Sequence, residues 1–186
     1  MSEDQRMVHD VLHQVDGAFE NMVDAYQKLV WHIVYPLVQD DALTEDLCQE
    51  VFMCVYLKLK TFRFECSLGT WIGRIAFRLT SRTLKKKIRE RSNPKDEPDT
   101  LMTLADEKDL EQNLVQADLL RQVYSAMGNL PPIQQTIMGL YYGHEFSLPE
   151  ISAICQQPLG TVKSYLFRAR KQVRKHLDDL GLREYL

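Results

Sequence analysis

The stretch PLGTVKSYLFRARKQVRKHL, residues 158–177, has six lysines and arginines and no acidic residue between positions 161 and 175. Its apolar residues are spaced by four, three, four and four: Val162, Leu166, Ala169, Val173 and Leu177. At about 100° per residue these side chains form one narrow stripe, and Ser164, Lys171, Lys175 and Arg168 point the opposite way, which predicts an amphipathic helix. Its basic side is either a surface for a polyanionic partner or an ordinary solvated helix face.

The residues before this helix predict a helix-turn-helix. In SLPEISAIC, Ser147 precedes Glu150 by three residues, a capping-box spacing that predicts a short helix over residues 148–155. A tight connection, QQPLG, leads into the basic helix, whose early residues would then lie in the major groove of DNA. The candidate base-reading residues are Thr161, Lys163, Ser164, Tyr165 and Arg168. The candidate phosphate contacts are Arg170, Lys171, Arg174 and Lys175, and Ser147 is a further candidate DNA contact.

Helical spacing of apolar residues continues through most of the chain, and strand signals are nearly absent. One helix is expected to begin near Phe19 and to end around Pro36 and QDD. A second is expected from Thr44, as N-cap, to about Leu59, and a third over about residues 70–91. NLPPIQQTIMGLYY predicts another helix with prolines in its first turn. We therefore predict an all-α fold of two small helical domains, residues 1–91 and 115–186, joined by an acidic linker over residues 92–114.

The near-neutral net charge of −3 hides strongly charged blocks. Residues 1–55 contain 11 acids and 2 bases, and residues 56–95 contain 2 acids and 12 bases. Residues 96–120 are acidic again, with 8 acids and 1 base. Competition between the acidic blocks and DNA for the basic ones would hold the free protein inactive, and salt should weaken that competition.

Two helix faces stand out in the first predicted domain. Asp46, Gln49, Glu50 and Met53 share one side of the second helix, which is either a docking surface or merely solvated. On the third helix five bases lie within about 80° of one another, although like charges at such spacings repel. A polyanionic partner would offset that repulsion. The five are Arg74, Arg78, Arg82, Lys85 and Arg89.

The sequence gives little indication of an enzyme, a metal-binding protein or a membrane protein. No nucleophile–base pair, phosphate-binding loop or metal-ligand cluster is recognisable, so we expect no catalysis, no cofactor and no metal site. The four cysteines form no CxxC pair, and reduced buried thiols are the favoured interpretation. Neither an apolar run long enough to cross a membrane nor a signal-peptide pattern at the start is present, and we expect a cytoplasmic protein.

Three motifs together resemble the extracytoplasmic-function (ECF) group of bacterial sigma-70 factors. They are EDLCQEVFMCVYLKLKTF, SLGTWIGRIAFRL and SLPEISAICQQPLGTVKSYLFRARKQV. The similarity covers residues 19–91 and 119–182. It implies a transcription initiation factor without catalytic activity of its own, which binds core RNA polymerase and directs it to promoter DNA. It also implies regulation by an anti-sigma factor.

The resemblance assigns roles to particular residues. The clamp helices of the largest polymerase subunit would bind the first domain, whereas the second domain would bind the −35 element and rest on the polymerase flap. The expected polymerase-binding residues are Asp46, Gln49, Glu50, Phe52 and Met53. The expected contacts to the −10 element are Arg63, Phe64, Ser67, Trp71, Arg74, Arg78, Arg82, Lys85, Lys86 and Arg89. Trp71 is favoured as a wall residue rather than a stacking platform.

The chain departs from the family pattern at Arg78, Arg82 and Tyr165, so its promoter sequence does not follow from the resemblance. Two alternative functions stay open. One is a stand-alone helix-turn-helix regulator, which leaves EDLCQEVF and the arginine-rich helix unexplained. The other is an adaptor that binds polymerase without specific recognition of DNA.

Overall fold

The computed structural model describes residues 2–91, 122–123 and 125–179, and all regular structure in these ranges is helical. The first range, called here the N-terminal half, contains α1 (Glu3–Leu12), α2 (Ala18–Val38), α3 (Asp41–Lys58), a 3₁₀ turn (Leu59–Thr61) and α4 (Leu68–Arg91). The others form the C-terminal half, with α5 (Pro132–Met138), a π-helical turn (Gly139–Gly143), α6 (Leu148–Cys155) and α7 (Leu159–Asp179). The predicted all-α class is confirmed, whereas the linker at 92–114 lies outside the described residues.

Helices α2, α3 and α4 enclose the core of the N-terminal half. Each presents apolar residues three or four positions apart, so that one side of each helix is buried. These buried residues include Met22, Val30, Ile33 and Val34 of α2, Leu47, Val51 and Val55 of α3, and Leu68, Ile72 and Ala76 of α4.

One predicted helix boundary was wrong. Helix α3 begins at Asp41 rather than after Thr44, because the side chain of Asp40 accepts a hydrogen bond from Leu43 N at 2.8 Å and caps the helix one turn earlier. Thr44 is buried and its Oγ1 donates to the Asp40 carbonyl. Helix α2 continues through Pro36 and ends at Val38, directly before QDD as expected, where Gln39 adopts a left-handed conformation with φ 54°. Proline removes only one helical hydrogen bond, which α2 tolerates in its last turn.

Helix α1 was not predicted. Ser2 and Gln5 form a reciprocal capping box, in which Ser2 Oγ accepts from Gln5 N and Gln5 Oε1 accepts from Ser2 N. Val8 and Val11 are buried, and α1 packs on α2 and the 3₁₀ turn. The spacing of Ser2 and Gln5 is the sequence signal that could have located this helix.

The C-terminal half has the predicted helix-turn-helix. Helix α6 begins with the expected capping box, since Ser147 N donates to Glu150 Oε2 at 3.0 Å and Glu150 N donates to Ser147 Oγ. The predicted apolar stripe of α7 is entirely buried. At the turn between the helices, Gln156 has φ 53°, and Pro158 O accepts from the backbone N–H groups of Thr161 and Val162.

The two halves pack directly on each other, α4 against α6 and α2 against α5. Two glycines one turn apart on α4 permit the approach. A Cβ at Gly73 would lie 3.2 Å from the side chain of Ile154, and one at Gly69 would lie 3.2 Å from the ring of Phe146. We call this packing the closed arrangement.

Polar side chains surround the apolar centre of the closed arrangement. His32 Nδ1 and His144 Nε2 are 2.8 Å apart, and Glu150 Oε1 accepts from Thr70 Oγ1 at 3.1 Å. The side-chain oxygen of Gln156 accepts from Arg78 Nε at 3.2 Å. The contact between the described halves therefore consists of apolar packing and hydrogen bonds, whereas the acidic block over residues 96–120 lies outside the described residues.

None of the helices in these ranges has both the length and the apolar character that crossing a bilayer requires.

The histidine contact makes the closed arrangement sensitive to pH. Burial, followed by the charge of Lys28, lowers the pKa of His32, and burial, followed by the nearby His32, lowers the pKa of His144 to about 4. Phe146 also lies beside the His144 ring. The closed arrangement therefore favours neutral rings, whereas separated halves would protonate them near the ordinary pKa of about 6.5.

We expect the closed arrangement to lose stability as the pH falls from about 6.5 towards 4, because only the separated state takes up protons in that range. An NMR titration of the imidazole resonances checks this, and His144 should titrate well below 6.5. In the control variant His144→Gln the pH dependence of the thermal midpoint should shrink. Titration of His144 at about 6.5 would contradict packing through this contact in solution.

Candidate functional site

The basic side of α7 is the first candidate surface. The side chains on it are exposed and lie beside or opposite the buried stripe: Lys163, Ser164, Arg168, Lys171, Arg174 and Lys175. Thr161 and Tyr165 are half-buried at the margins of this surface. The structure thus brings the predicted base-reading residues to one side of an exposed helix, with the predicted phosphate contacts further along it.

Arg170 has a different environment from the other bases of α7. Its guanidinium lies 5.2 Å from the ring centroid of Tyr141 and 5.4 Å from that of Tyr142, and its Nε donates to Tyr142 Oη at 2.6 Å. These cation–π and hydrogen-bond contacts connect α7 to the π-helical turn. In this arrangement Arg170 supports the helix-turn-helix through its Nε and the face of its guanidinium.

Phe167 is a surface residue that the sequence analysis missed. Its side chain is 68% exposed, although a large apolar residue is usually covered. It lines a shallow hollow together with Lys163, Ser164 and Arg168, three of the predicted base-reading residues. Helix geometry could have located it, because at about 100° per residue Phe167 projects within about 60° of Ser164.

The basic side of α4 is the second candidate surface. Arg82, Lys85, Lys86 and Arg89 are exposed along it, and Arg74 is half-buried. Arg78 is exposed as well, but its guanidinium donates to Gln156 at the C-terminal end of α6. The predicted basic stripe is therefore present, and one of its members is engaged by the other half.

The loop before α4, residues 63–67, is bordered by aromatic rings. The buried ring of Phe62 lies 4.6 Å from the ring of Phe64 and 5.3 Å from that of Trp71, which is half-buried in the wall of the cluster. Phe64 is 46% exposed and has φ 59°, a left-handed conformation that costs a residue other than glycine about 1–2 kcal/mol. Arg63 and Ser67 are exposed on either side of it. Strained residues of this kind cluster at functional sites.

The third candidate surface lies on α3. Asp46, Gln49 and Glu50 are exposed, and Met53 is 59% exposed beside them. Leu57, which is 65% exposed and four residues after Met53, extends this surface and was missed by the sequence analysis. Phe52 is only 7% exposed and belongs to the core, so it supports the helix from behind.

The described residues show no cluster of three or more His, Cys, Asp or Glu side chains placed to hold a metal ion. The rings of His9, in α1, and His13, directly after it, are stacked and exposed. Burial raises the pKa of Cys155 to about 12, and raises that of Cys48, helped by the nearby charge of Glu45, to about 11. Both thiols are therefore weak nucleophiles at neutral pH.

Two known protein families match the chain, one in each half of the fold. Residues 22–90 match the family described as "Sigma-70 region 2". Residues 120–173 match the family described as "Sigma-70, region 4". The first match spans the loop, the arginine-rich helix and the α3 surface, and the second spans the helix-turn-helix.

Full-length relatives match across both halves. An ECF RNA polymerase sigma factor, SigW of Bacillus subtilis (strain 168), is 30% identical over 169 residues, which cover 88% of this chain and 90% of the relative. An ECF RNA polymerase sigma-E factor of Escherichia coli (strain K12) is 30% identical over 185 residues and 95% of each chain. The RNA polymerase sigma-H factor of Pseudomonas aeruginosa is 29% identical over 194 residues, 98% of this chain and 97% of the relative.

Solved structures share the fold. The sigma factor RpoE of Bartonella quintana, in complex with the anti-sigma factor NepR, superposes with a TM-score of 0.71 at 20% identity over 87% of this chain and 98% of that one. CnrH, in complex with the cytosolic domain of CnrY, superposes with a TM-score of 0.63 at 17% identity over 96% and 99% of the two chains.

Proposed function

The chain belongs to the ECF sigma factors of RNA polymerase, and from this membership we propose that it binds core polymerase, recognises −10 and −35 promoter elements and opens the promoter for transcription. The observation that carries the proposal is the presence, on one chain, of an exposed basic helix-turn-helix and a second basic helix beside a strained aromatic loop. A helix-turn-helix regulator needs only the first of these. The RNA-synthesising chemistry belongs to the polymerase.

Helix α7 is proposed to lie in the major groove of the −35 element. Lys163, Ser164 and Arg168 would contact base edges, since arginine and lysine pair with guanine and serine pairs with several bases. The exposed ring of Phe167 would supply an apolar contact to a thymine methyl group. Lys171, Arg174 and Lys175 would neutralise backbone phosphates and provide affinity that does not depend on sequence.

The loop at residues 63–67 is proposed to capture an unstacked base of the −10 element. Single strands are bound by stacking on aromatic rings and by basic grooves, and Phe64 lies between an aromatic cluster and exposed Arg63. The basic side of α4 would hold the phosphates next to the melted bases. Trp71 would form a wall of this site through its contact with Phe62.

The α3 surface is proposed to bind polymerase. It combines two carboxylates and an amide with the exposed side chains of Met53 and Leu57, a mixture of polar and apolar contacts suited to a protein partner. Phe52 would act by fixing the helix from the core.

An anti-sigma factor is proposed as a second partner, by analogy with the complex of RpoE and the anti-sigma factor NepR. The closed arrangement is incompatible with simultaneous binding of both promoter elements. Elements centred near −10 and −35 are about 85 Å apart on straight DNA at about 3.4 Å per base pair. Here, by contrast, the start of α4 is in hydrogen-bond contact with α6. The halves would therefore separate when polymerase and promoter bind, and an inhibitor that stabilises their packing would oppose initiation.

The decisive experiment is run-off transcription on a pool of genomic fragments, with core polymerase alone and with core polymerase plus this protein. New start sites that share two spaced elements are expected. Tight binding to core without new start sites would favour the adaptor, whereas binding of a palindromic site without any affinity for core would favour the stand-alone regulator.

Substituting Asp46→Ala together with Gln49→Ala should weaken binding to core polymerase at least about tenfold, because a charged hydrogen bond contributes about 1.5–3 kcal/mol. Binding is measured by fluorescence anisotropy of labelled protein, and circular dichroism reports helical content. Asp41→Ala is the matched control, since its exposed carboxylate lies about 140° around the same helix from Asp46. Unchanged affinity of the double variant would overturn the docking assignment.

Arg168→Ala should cost about 1–3 kcal/mol of affinity for the promoter while affecting non-specific DNA much less, because a base contact discriminates sequence. Arg174→Ala should weaken both kinds of binding similarly and lower the salt dependence by about one phosphate. Titrations of labelled promoter and scrambled duplex at several salt concentrations separate these effects. Equal losses on both duplexes for Arg168→Ala would make that residue a phosphate contact instead.

A further inference from the structure

The carboxylate of Asp4 connects the first helix of the chain to the first residue of α4. Its Oδ2 accepts a hydrogen bond from Leu68 N at 2.8 Å, and its Oδ1 accepts one from Tyr26 Oη at 3.3 Å. The residues are 64 and 22 positions apart in sequence, so the contact is purely tertiary. It joins α1, α2 and the start of α4 at a single side chain.

The start of α4 needs such an acceptor. Leu68 is fully buried, and the first backbone N–H groups of a helix have no partner within the helix. Ser67 supplies the acceptors for two of the residues that follow, through Oγ for Thr70 N and through its carbonyl for Trp71 N. Asp4 supplies the acceptor for Leu68 N, and its negative charge also suits the positive end of the helix dipole.

Asp4 is itself held in place from both sides. The capping box of Ser2 and Gln5 orders the first turn of α1, and Val8 and Val11 bury the same helix against its neighbours. Tyr26 lies against Gly69, where a Cβ would be 3.4 Å from its ring, and its hydroxyl faces Asp4. Burial, followed by the charge of Asp4, raises the pKa of Tyr26, which keeps the hydroxyl protonated as a donor.

The hydrogen bond between Asp4 and Leu68 lies directly after the loop at residues 63–67. That loop is fixed at its first end by the buried ring of Phe62 and at its second end by Ser67 and Leu68. Glu150 also reaches Ser67 and Thr70, but it belongs to the C-terminal half and leaves with that half when the closed arrangement opens. Asp4 belongs to the same half as the loop and remains.

We propose that Asp4 is a positioning residue for base recognition, in that its hydrogen bond to Leu68 N sets where the loop at residues 63–67 presents Phe64 and its neighbours to a single-stranded base. This inference rests on the proposed function. Asp4 acts through the loop and makes no contact with DNA itself.

The test measures base discrimination rather than activity alone. Holoenzyme forms open complexes on a promoter mapped by run-off transcription and on the same promoter with one non-template base of the −10 element replaced. The ratio of the two rates does not depend on the fraction of folded protein. Asp4→Ala should lower this ratio about tenfold, which corresponds to about 1.4 kcal/mol, while the affinity for core polymerase stays within about twofold.

Three variants complete the design. Glu3→Ala removes a neighbouring charge of α1 and should leave the ratio unchanged. Asp4→Asn keeps an oxygen acceptor for Leu68 N and should retain most of the discrimination, while Tyr26→Phe removes only the second contact of Asp4 and should have a smaller effect than Asp4→Ala.

An unchanged ratio in Asp4→Ala, whether or not overall activity falls, would reduce Asp4 to a structural residue and overturn the proposal. Equal loss of discrimination in Glu3→Ala would overturn it as well, since charge rather than position would then be responsible. Failure of the wild-type protein to produce any promoter-specific start would instead refute the proposed function.

Discussion

The arrangement of the two halves depends on one contact, the approach of α2 and α6 to helix α4 at Gly73. A Cβ at that position would lie 3.3 Å from Cδ1 of Ile33 and 3.2 Å from the side chain of Ile154, which is tighter than ordinary van der Waals contact. Full burial of an isoleucine side chain contributes roughly 1.5–3 kcal/mol, whereas a typical hydrogen bond contributes about 0.5–1.5 kcal/mol net. Apolar packing at Gly73 therefore dominates, and the polar contacts around it select the orientation.

Because apolar packing dominates and the polar contacts are weak, the closed arrangement is compatible with the proposed separation of the halves. The groups at its margin, such as Thr70, Arg78 and Glu150, can exchange their partners for water or nucleic acid at small net cost. The bases of α7 and most bases of α4 remain exposed in the closed arrangement. Long-range attraction of DNA would thus precede separation of the halves, with the differential affinity of promoter and polymerase for the open state supplying the free energy of opening.

Prediction and structure agree best where a feature depends on interactions between residues close in sequence. Helix α7 and the capped start of α6 were predictable because apolar periodicity and the Ser147–Glu150 spacing act within a few residues. The start of α3 was misplaced because Asp40 and Thr44 are both acceptable caps, and burial of Thr44 decided between them. The exposure of Phe167 and Leu57 was not predicted, because an apolar residue in a helix is usually assigned to the core.

By itself, the sequence determined the helical class, the order of helices α2 to α7, the helix-turn-helix and the concentration of bases on two of the helices. It could do so because periodicity, caps and charge are properties of short segments. Only the tertiary structure decided that Arg170 is held by two tyrosines and that His32 meets His144. The same holds for the bond between Asp4 and Leu68, since a contact between residues 64 positions apart depends on how whole helices pack and leaves no local pattern.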